Sequence, residues 1–104
     1  MPIMIIEIAN LSSQEKEVAM MEAARAALQE TFNIANNDIT VRLVAHEPHR
    51  FHVPPGKAIS TYTHISIDCI VGRSLDTKRN LYRTLVQNLE SLGIPKDHIK
   101  ILLR

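Results

Sequence analysis

Residues 34–43 have the sequence IANNDITVRL, and residues 94–103 have the sequence IPKDHIKILL. This near-repeat decides the fold, because each copy places a polar turn before a run of alternating apolar residues, which is typical of a strand. The apolar residues fall at the same four places in both copies: Ile34, Ile39, Val41 and Leu43, then Ile94, Ile99, Ile101 and Leu103. The chain is therefore predicted to consist of two similar halves.

A strand and a helix are predicted before residues 34–43, the first copy of the near-repeat. β-branched residues predict a strand over Ile3–Ala9. Ser12 and Glu15 have the spacing of a capping box, which marks the start of a helix. We expect this helix to end near Asn33. Its apolar residues recur at helical spacing: Val18, Met21, Ala24, Leu28 and Phe32.

A strand followed by a helix is also predicted before residues 94–103, the second copy of the near-repeat. Alternation predicts a strand over residues 65–71, which includes the single Cys69. Ser74 is expected to cap a second helix, with Asp76 in its first turn, where a carboxylate suits the helix dipole. Gly93 is expected to end this helix. Its buried stripe is predicted from four leucines: Leu81, Leu85, Leu89 and Leu92.

These elements predict one domain over residues 1–104, with β-α-β units at 3–46 and 61–104 and a linker at 47–60. Each unit is expected to be a right-handed parallel crossover. The first strand is apolar on both faces and two helices can cover only one, so another copy of the chain is expected to cover the other. A ferredoxin-like binding module has the same β-α-β-β-α-β order and stays an alternative.

Composition narrows the class of protein. A length of 104 residues fits one domain, and a formal net charge of +1 does not suggest a nucleic-acid-binding surface. No run of about 18–20 apolar residues predicts a membrane helix, and the first residues lack the order of a signal peptide. A single cysteine is compatible with a reducing compartment. We therefore expect a cytoplasmic protein that binds neither nucleic acid nor membrane.

Pro2 directly follows the initiator methionine and precedes the first predicted strand. If Met1 is removed, Pro2 carries a secondary amine on a ring that fixes φ. Burial at the end of a strand would lower the pKa of that amine toward neutrality and make it a rigid acid–base group. The alternative is a proline that simply starts a strand.

Two charged residues are candidates for a site with Pro2. Arg73 precedes the second helix in the sequence Gly72-Arg73-Ser74. A helix N-terminus favours anions, and an arginine can bind a carboxylate through two hydrogen bonds. Asp38 lies in the turn before the second strand and is a candidate to orient water or to act as an acid–base partner. The alternatives are a surface arginine beside an N-cap and an ordinary turn residue.

Two further residues are candidates for substrate binding. His46 is expected near the end of the second strand, where it would line a pocket, and Tyr62 is expected at the start of the third strand with an exposed hydroxyl. His46, His49 and His52 recur every third residue, but no cysteine or carboxylate cluster accompanies them. We therefore predict neither a metal nor a cofactor.

Pro2, the doubled β-α-β order, and residues 72–82, GRSLDTKRNLY, together resemble the tautomerase superfamily. Residues 32–38, FNIANND, are similar to the pattern of its longer-chain members, which include malonate semialdehyde decarboxylase. The resemblance implies an α+β fold with a mixed four-stranded sheet and two helices on one face, assembled as a homotrimer.

The resemblance also implies roles for three residues. Pro2 corresponds to the proline that acts as the general base in tautomerases and as the general acid in the decarboxylase. Arg73 falls on the arginine that binds the substrate carboxylate, and Asp38 on the aspartate that activates water. The expected partner is accordingly a small-molecule carboxylate.

Two departures decide between activities. The decarboxylase has a second arginine two residues before Arg73, where this chain has Val71, and longer relatives continue beyond the position of Arg104. These differences favour a keto–enol tautomerase, an isomerase, over a decarboxylase or hydratase. The remaining alternative is a tautomerase-fold protein that binds without catalysis.

Overall fold

A computed structural model describes residues 2–68 and 73–104 of this chain. The element order is β-α-β twice, as predicted. Its strands and helices are β1 Ile3–Ala9, α1 Gln14–Phe32, β2 Thr40–His46, β3 Thr63–Asp68, α2 Leu75–Glu90 and β4 Ile99–Leu103. Short 3-10 turns occupy Asn36–Asp38, Pro48–Arg50 and Lys96–His98.

The strands form one mixed sheet in the order β2-β1-β3-β4. β1 is parallel to β2 and β3 is parallel to β4, whereas β1 and β3 are antiparallel. The two strands of each β-α-β unit are therefore direct neighbours. This arrangement confirms the predicted mixed four-stranded sheet and excludes a ferredoxin-like split β-α-β, in which another strand separates the two.

Both helices begin at a serine, but the first begins one residue later than predicted. The Ser13 side chain accepts a hydrogen bond from the Lys16 amide over 3.1 Å, so Ser13 is the N-cap of α1 and the predicted capping box at Ser12 and Glu15 is wrong. α1 ends at Asn33 as predicted, where the left-handed backbone (φ 52°, ψ 49°) closes the helix.

The second helix begins where the sequence predicts. Ser74 caps α2 by accepting a hydrogen bond from the Thr77 amide over 3.1 Å. α2 ends at Glu90, three residues before Gly93, which lies beyond the helix with φ of 90°. The predicted extension of β3 to residue 71, including Cys69, lies outside the described residues.

The hydrophobic core lies between one sheet face and the two helices. Alternate strand residues and most of the predicted helix stripes are fully buried there: Met4, Ile6, Ile65, Ile67, Ala24, Leu28, Leu81, Leu85 and Leu89. Three predicted stripe positions are wrong, since Val18 is 42% exposed, Met21 is half-buried, and Leu92 lies beyond the end of α2 and is only partly buried. Asn88 Nδ2 donates to the Ala23 carbonyl oxygen over 3.1 Å, which joins the helices. Among the described residues no helix is long and apolar enough to cross a membrane.

The opposite surface of the sheet, called here the open face, carries the other alternate residues of the four strands. Ile3 and Ile5 are half-buried on it, whereas Val44 and Leu102 are 42% and 43% exposed. Polar side chains separate these apolar residues. The sheet is therefore packed on one side and available for contact on the other.

Candidate active site

Pro2 lies at the end of the sheet where β1 and β2 begin and β3 ends. The residue is buried, and its carbonyl oxygen accepts a hydrogen bond from the Thr40 amide over 3.3 Å. The following residue, Ile3, pairs with Thr40 on one side and with Asp68 on the other. The strands on both sides therefore fix the backbone of Pro2. Met1 lies outside the described residues.

Asp38 lies at the same end of the molecule as Pro2. Its amide donates to the Ala35 carbonyl oxygen over 3.0 Å, which closes the turn at Asn36–Asp38. The side chain is exposed, and Asp38 is two residues before Thr40, which is bonded to Pro2. The turn thus places a solvent-accessible carboxylate beside the start of β1.

Arg73 reaches this end from the other half of the chain. Its guanidinium carbon lies 5.1 Å from the centroid of the Phe32 ring, a cation–π contact. Phe32 is the last residue of α1 and is only 5% exposed, so the ring is a fixed platform for an exposed arginine. The preceding Gly72 of the predicted anion-binding sequence lies outside the described residues.

A second cation at this end is already paired with an acid. Arg104 Nε donates to Asp68 Oδ1 over 2.9 Å, and Nη2 donates to Oδ2 over 3.4 Å. These hydrogen bonds and the nearby negative charge raise the pKa of the Arg104 guanidinium. The pair lies on the open face at the level of Ile3. Sequence analysis did not identify it, because the pairing depends on the register between β3 and β4.

His46 lies at the far end of the sheet from Pro2. It is the last residue of β2 and pairs in register with Ala9, whereas Ile3 marks the Pro2 end. Seven strand residues separate the two ends by about 20 Å. His46 Nε2 lies 2.8 Å from Glu7 Oε1, and its ring stacks on Phe51 with centroids 5.4 Å apart. Within one chain His46 therefore does not meet Pro2.

Tyr62 lies at this far end as well. Its ring centroid is 6.2 Å from that of Phe51 and 6.4 Å from that of His98. His98 Nε2 accepts a hydrogen bond from the Ala58 amide over 2.9 Å. The row of rings thus packs the segment between β2 and β3 against the start of β4. The structure does not bring Tyr62 to Pro2 within one chain.

Pro2, Asp38 and Arg73 therefore all lie at one end of the sheet. Phe32 lies at the same end, although the sequence placed it only in the helix stripe and in the family-like stretch 32–38 and predicted no role for it in a site. An aromatic residue at a helix C-terminus was the available signal, but its contact with Arg73 spans the two halves. Within residues 2–68 and 73–104, no group of three or more His, Cys, Asp or Glu side chains is placed to hold a metal ion.

The sequence matches a family model described as tautomerase enzyme over residues 40–104, more than half of the chain. That match covers β2 and the whole second β-α-β unit, including Arg73. No curated protein sequence matches the chain.

Several solved structures share the fold over almost the whole chain. A malonate semialdehyde decarboxylase inhibited by 3-bromopropiolate is 22% identical, with a TM-score of 0.87, covering 98% of this chain and 81% of that one. A fused 4-OT wild-type symmetric trimer is 19% identical, with a TM-score of 0.85, covering 98% and 83%. A second malonate semialdehyde decarboxylase is 20% identical, with a TM-score of 0.87, covering 98% and 82%. At sequence identities of 19–22%, this structural similarity shows that the fold is shared.

Proposed function

The chain belongs to the tautomerase family, and we propose on that premise that it catalyses keto–enol tautomerisation of a small carboxylate. The observation that carries the proposal is the buried position of Pro2 at the start of the central strand β1, fixed through Thr40. The proposal requires removal of Met1, which leaves Pro2 with a free secondary amine. Burial disfavours the ammonium form and would lower the pKa of this amine.

In the proposed reaction the neutral Pro2 amine accepts the proton of the enol hydroxyl. The electron pair of that O–H bond stays on the oxygen, which becomes an enolate. This pair then forms the carbon–oxygen double bond, and the pair of the carbon–carbon double bond forms the new C–H bond. The Pro2 ammonium returns its proton to that carbon. The proton has then moved from oxygen to carbon, the ketone has formed, and the amine is neutral again.

Arg73 is proposed to bind the substrate carboxylate or to stabilise the enolate oxygen. Its guanidinium stays exposed while it contacts the Phe32 ring, so the donors at its edge are available to a ligand. A guanidinium matches a carboxylate through two charge-assisted hydrogen bonds. It also favours the charge that develops on an enolate.

Asp38 gives a second candidate function. Its exposed carboxylate lies at the Pro2 end, where it would orient a water molecule for hydration or decarboxylation of a semialdehyde. The uncharged Val71 favours the tautomerase over this activity, because a decarboxylase of this family carries an arginine there. A protein that keeps Met1 would instead bind carboxylates without catalysis.

We further propose a homotrimer in the cytoplasm. The fused 4-OT structures with the same fold are trimers. In this chain the open face exposes Val44 and Leu102, and burying this apolar surface would favour assembly. His46 and Tyr62 keep a proposed substrate-binding role only if assembly brings their end of one copy to the Pro2 end of another.

The proposal is tested by ketonisation of phenylenolpyruvate, followed by the loss of enol absorbance and corrected for the spontaneous rate. Intact mass first establishes that Met1 is absent. Pro2→Ala should lower the rate by about 10²–10⁴-fold, the usual contribution of a positioned acid–base group. The matched control is Pro54→Ala, at an exposed proline between β2 and β3, which should react like the wild type. Equal rates for both variants would contradict the proposal.

A further inference from the structure

Arg73 contacts an aromatic ring from the other half of the chain. Its guanidinium carbon lies 5.1 Å from the centroid of the Phe32 ring, within the distance at which a cation is attracted to a ring. Phe32 is the last residue of α1, whereas Arg73 directly precedes Ser74, the N-cap of α2. The contact therefore joins the end of one helix to the start of the other.

Phe32 is the rigid partner in this contact, and Arg73 is the one that can move. Phe32 is only 5% exposed and packs in the hydrophobic core, so its ring cannot follow a moving side chain. Arg73 is exposed, and none of the hydrogen bonds and ion pairs within residues 2–68 and 73–104 involves its guanidinium. Ordering such a long side chain on a ligand costs conformational entropy.

The backbone is anchored on both sides of the contact. Ser74 Oγ accepts a hydrogen bond from the Thr77 amide over 3.1 Å, which fixes the chain directly after Arg73. Asn33, in the left-handed conformation, ends α1 directly after Phe32. The side-chain torsions of Arg73 are therefore the main freedom left in the contact, and attraction to the ring favours some of them over others.

We propose that Phe32 is a positioning residue, which holds Arg73 ready to bind a carboxylate and so raises the affinity of the site for carboxylates. This inference rests on the proposed function and adds a residue to its binding site. A guanidinium carries five N–H donors, so it can contact a ring and still direct two of them to a carboxylate. The ring increases the fraction of the free protein in which Arg73 is competent to bind, and the apparent affinity rises with that fraction.

This role fixes the size and the selectivity of the effect. The attraction in an exposed cation–π contact corresponds to a roughly two- to fivefold change in an equilibrium constant. Loss of the ring should therefore raise KM for a carboxylate-bearing enol by roughly that factor. The value of kcat should stay near that of the wild type, because the chemistry is assigned to Pro2 and uniform binding acts on KM alone.

The test is a double-mutant cycle on the ketonisation of phenylenolpyruvate, with the wild type, Phe32→Leu, Arg73→Ala and the double variant. Phe32→Leu keeps an apolar side chain in the core but removes the ring, and it should raise KM roughly two- to fivefold. In the Arg73→Ala background the same substitution should leave KM unchanged, because no cation is left to position. Phe32→Tyr keeps the ring and should have the KM of the wild type.

Phe32 is buried, so damage to the core has to be separated from loss of the contact. The matched control is Leu89→Ala, which removes a fully buried side chain near the opposite end of α2. It should lower Tm and leave KM unchanged. Far-UV circular dichroism establishes that each variant is folded. If Phe32→Leu does not fold, Phe32→Met takes its place, since methionine fills irregular core space without a ring.

An unchanged KM in Phe32→Leu overturns the inference, as does an equal rise in KM with and without Arg73. A Phe32→Tyr variant with the KM of Phe32→Leu overturns it as well. Calorimetric binding of phenylpyruvate repeats the cycle without turnover and separates this inference from the proposed function. Coupling between Phe32 and Arg73 in binding, without turnover by the wild type, overturns only the proposed chemistry. Turnover that depends on Pro2 and Arg73 but not on Phe32 overturns only the inference, and the absence of binding overturns both.

Discussion

The guanidinium of Arg73 lies over the ring of Phe32, with its central carbon 5.1 Å from the ring centroid. The two residues belong to different β-α-β units, since Phe32 ends α1 and Arg73 precedes α2. A buried ring therefore positions an exposed cation at the end of the sheet that holds Pro2. Cation–π contacts of this kind contribute about 0.5–1 kcal/mol at exposed sites, enough to favour one orientation of a long side chain.

Arg73 should determine the affinity for carboxylate-bearing enols. Arg73→Ala removes two charge-assisted hydrogen bonds and should weaken binding by about 1–3 kcal/mol, seen as a higher KM in the ketonisation assay. Arg73→Lys keeps the positive charge but lacks the planar guanidinium that donates two parallel hydrogen bonds, so it should restore binding only in part. Arg83→Ala, on the exposed surface of α2, is the control and should bind normally. Unchanged kinetic constants in Arg73→Ala would remove this residue from the site.

Asp38 should matter for reactions that consume water and not for proton transfer alone. Asp38→Asn is expected to lower any hydration or decarboxylation rate while ketonisation stays close to that of the wild type, because only the former needs an oriented water molecule. The control is Asp97→Asn in the corresponding turn of the second half, at the far end of the sheet. An equal loss of both activities in Asp38→Asn would assign the residue to the conformation of its turn.

Ser13, and not Ser12, should stabilise the start of α1. Its side chain accepts the hydrogen bond from the Lys16 amide, so Ser13→Ala should lower the free energy of unfolding by about 1 kcal/mol. Ser12→Ala should change it by less than about 0.5 kcal/mol, as expected for a substitution away from a cap. Urea denaturation of the two variants measures both values. A larger loss in Ser12→Ala would restore the capping box predicted from the sequence.

Asp97 should contribute to stability in a pH-dependent way. Its hydrogen bonds to His98 and then to Lys57 lower the pKa of the Asp97 carboxyl below its ordinary value of 3.8. Because the folded-state pKa is the lower one, this stabilisation is present above pH 3.8 and is lost as the pH falls through the folded-state value. Asp97→Asn should therefore lower Tm at neutral pH, and this difference should shrink below pH 3.8. A difference that stays constant across this range would contradict the assignment.

Periodic spacing made most of the fold predictable. β-branched residues identified β1, and the alternation shared by β2 and β4 identified the doubled unit, because a strand and a helix impose different repeats on the sequence. The error at Ser12 arose because two adjacent serines both suit an N-cap. Spacing to Glu15 favoured the first, whereas the backbone geometry selects the second.

The candidate site was predictable only where local sequence carries the signal. Pro2 and Asp38 adjoin the starts of β1 and β2, which parallel pairing brings to one end of the sheet. Arg73 follows β3, and the antiparallel pairing of β3 with β1 brings the end of β3 to the same place. His46 also adjoins a strand end, but it is the opposite end, which becomes evident only from the register with Ala9. Tyr62 lies at the same end and contacts Phe51, which in turn stacks on His46. Phe51 belongs to an irregular segment without a periodic pattern, so the sequence could not predict these contacts.

The central claim is that the free secondary amine of Pro2 carries the chemistry, and Met1 provides the most direct test. Two preparations of the same sequence are compared, one processed to Pro2 and one that retains Met1 because it was made without methionine aminopeptidase. Intact mass establishes which is which. An amide nitrogen has no usable lone pair, so the form with Met1 should ketonise phenylenolpyruvate at the spontaneous rate, whereas the processed form turns it over. Equal turnover by both forms would contradict the account and leave Pro2 as a residue that only starts β1.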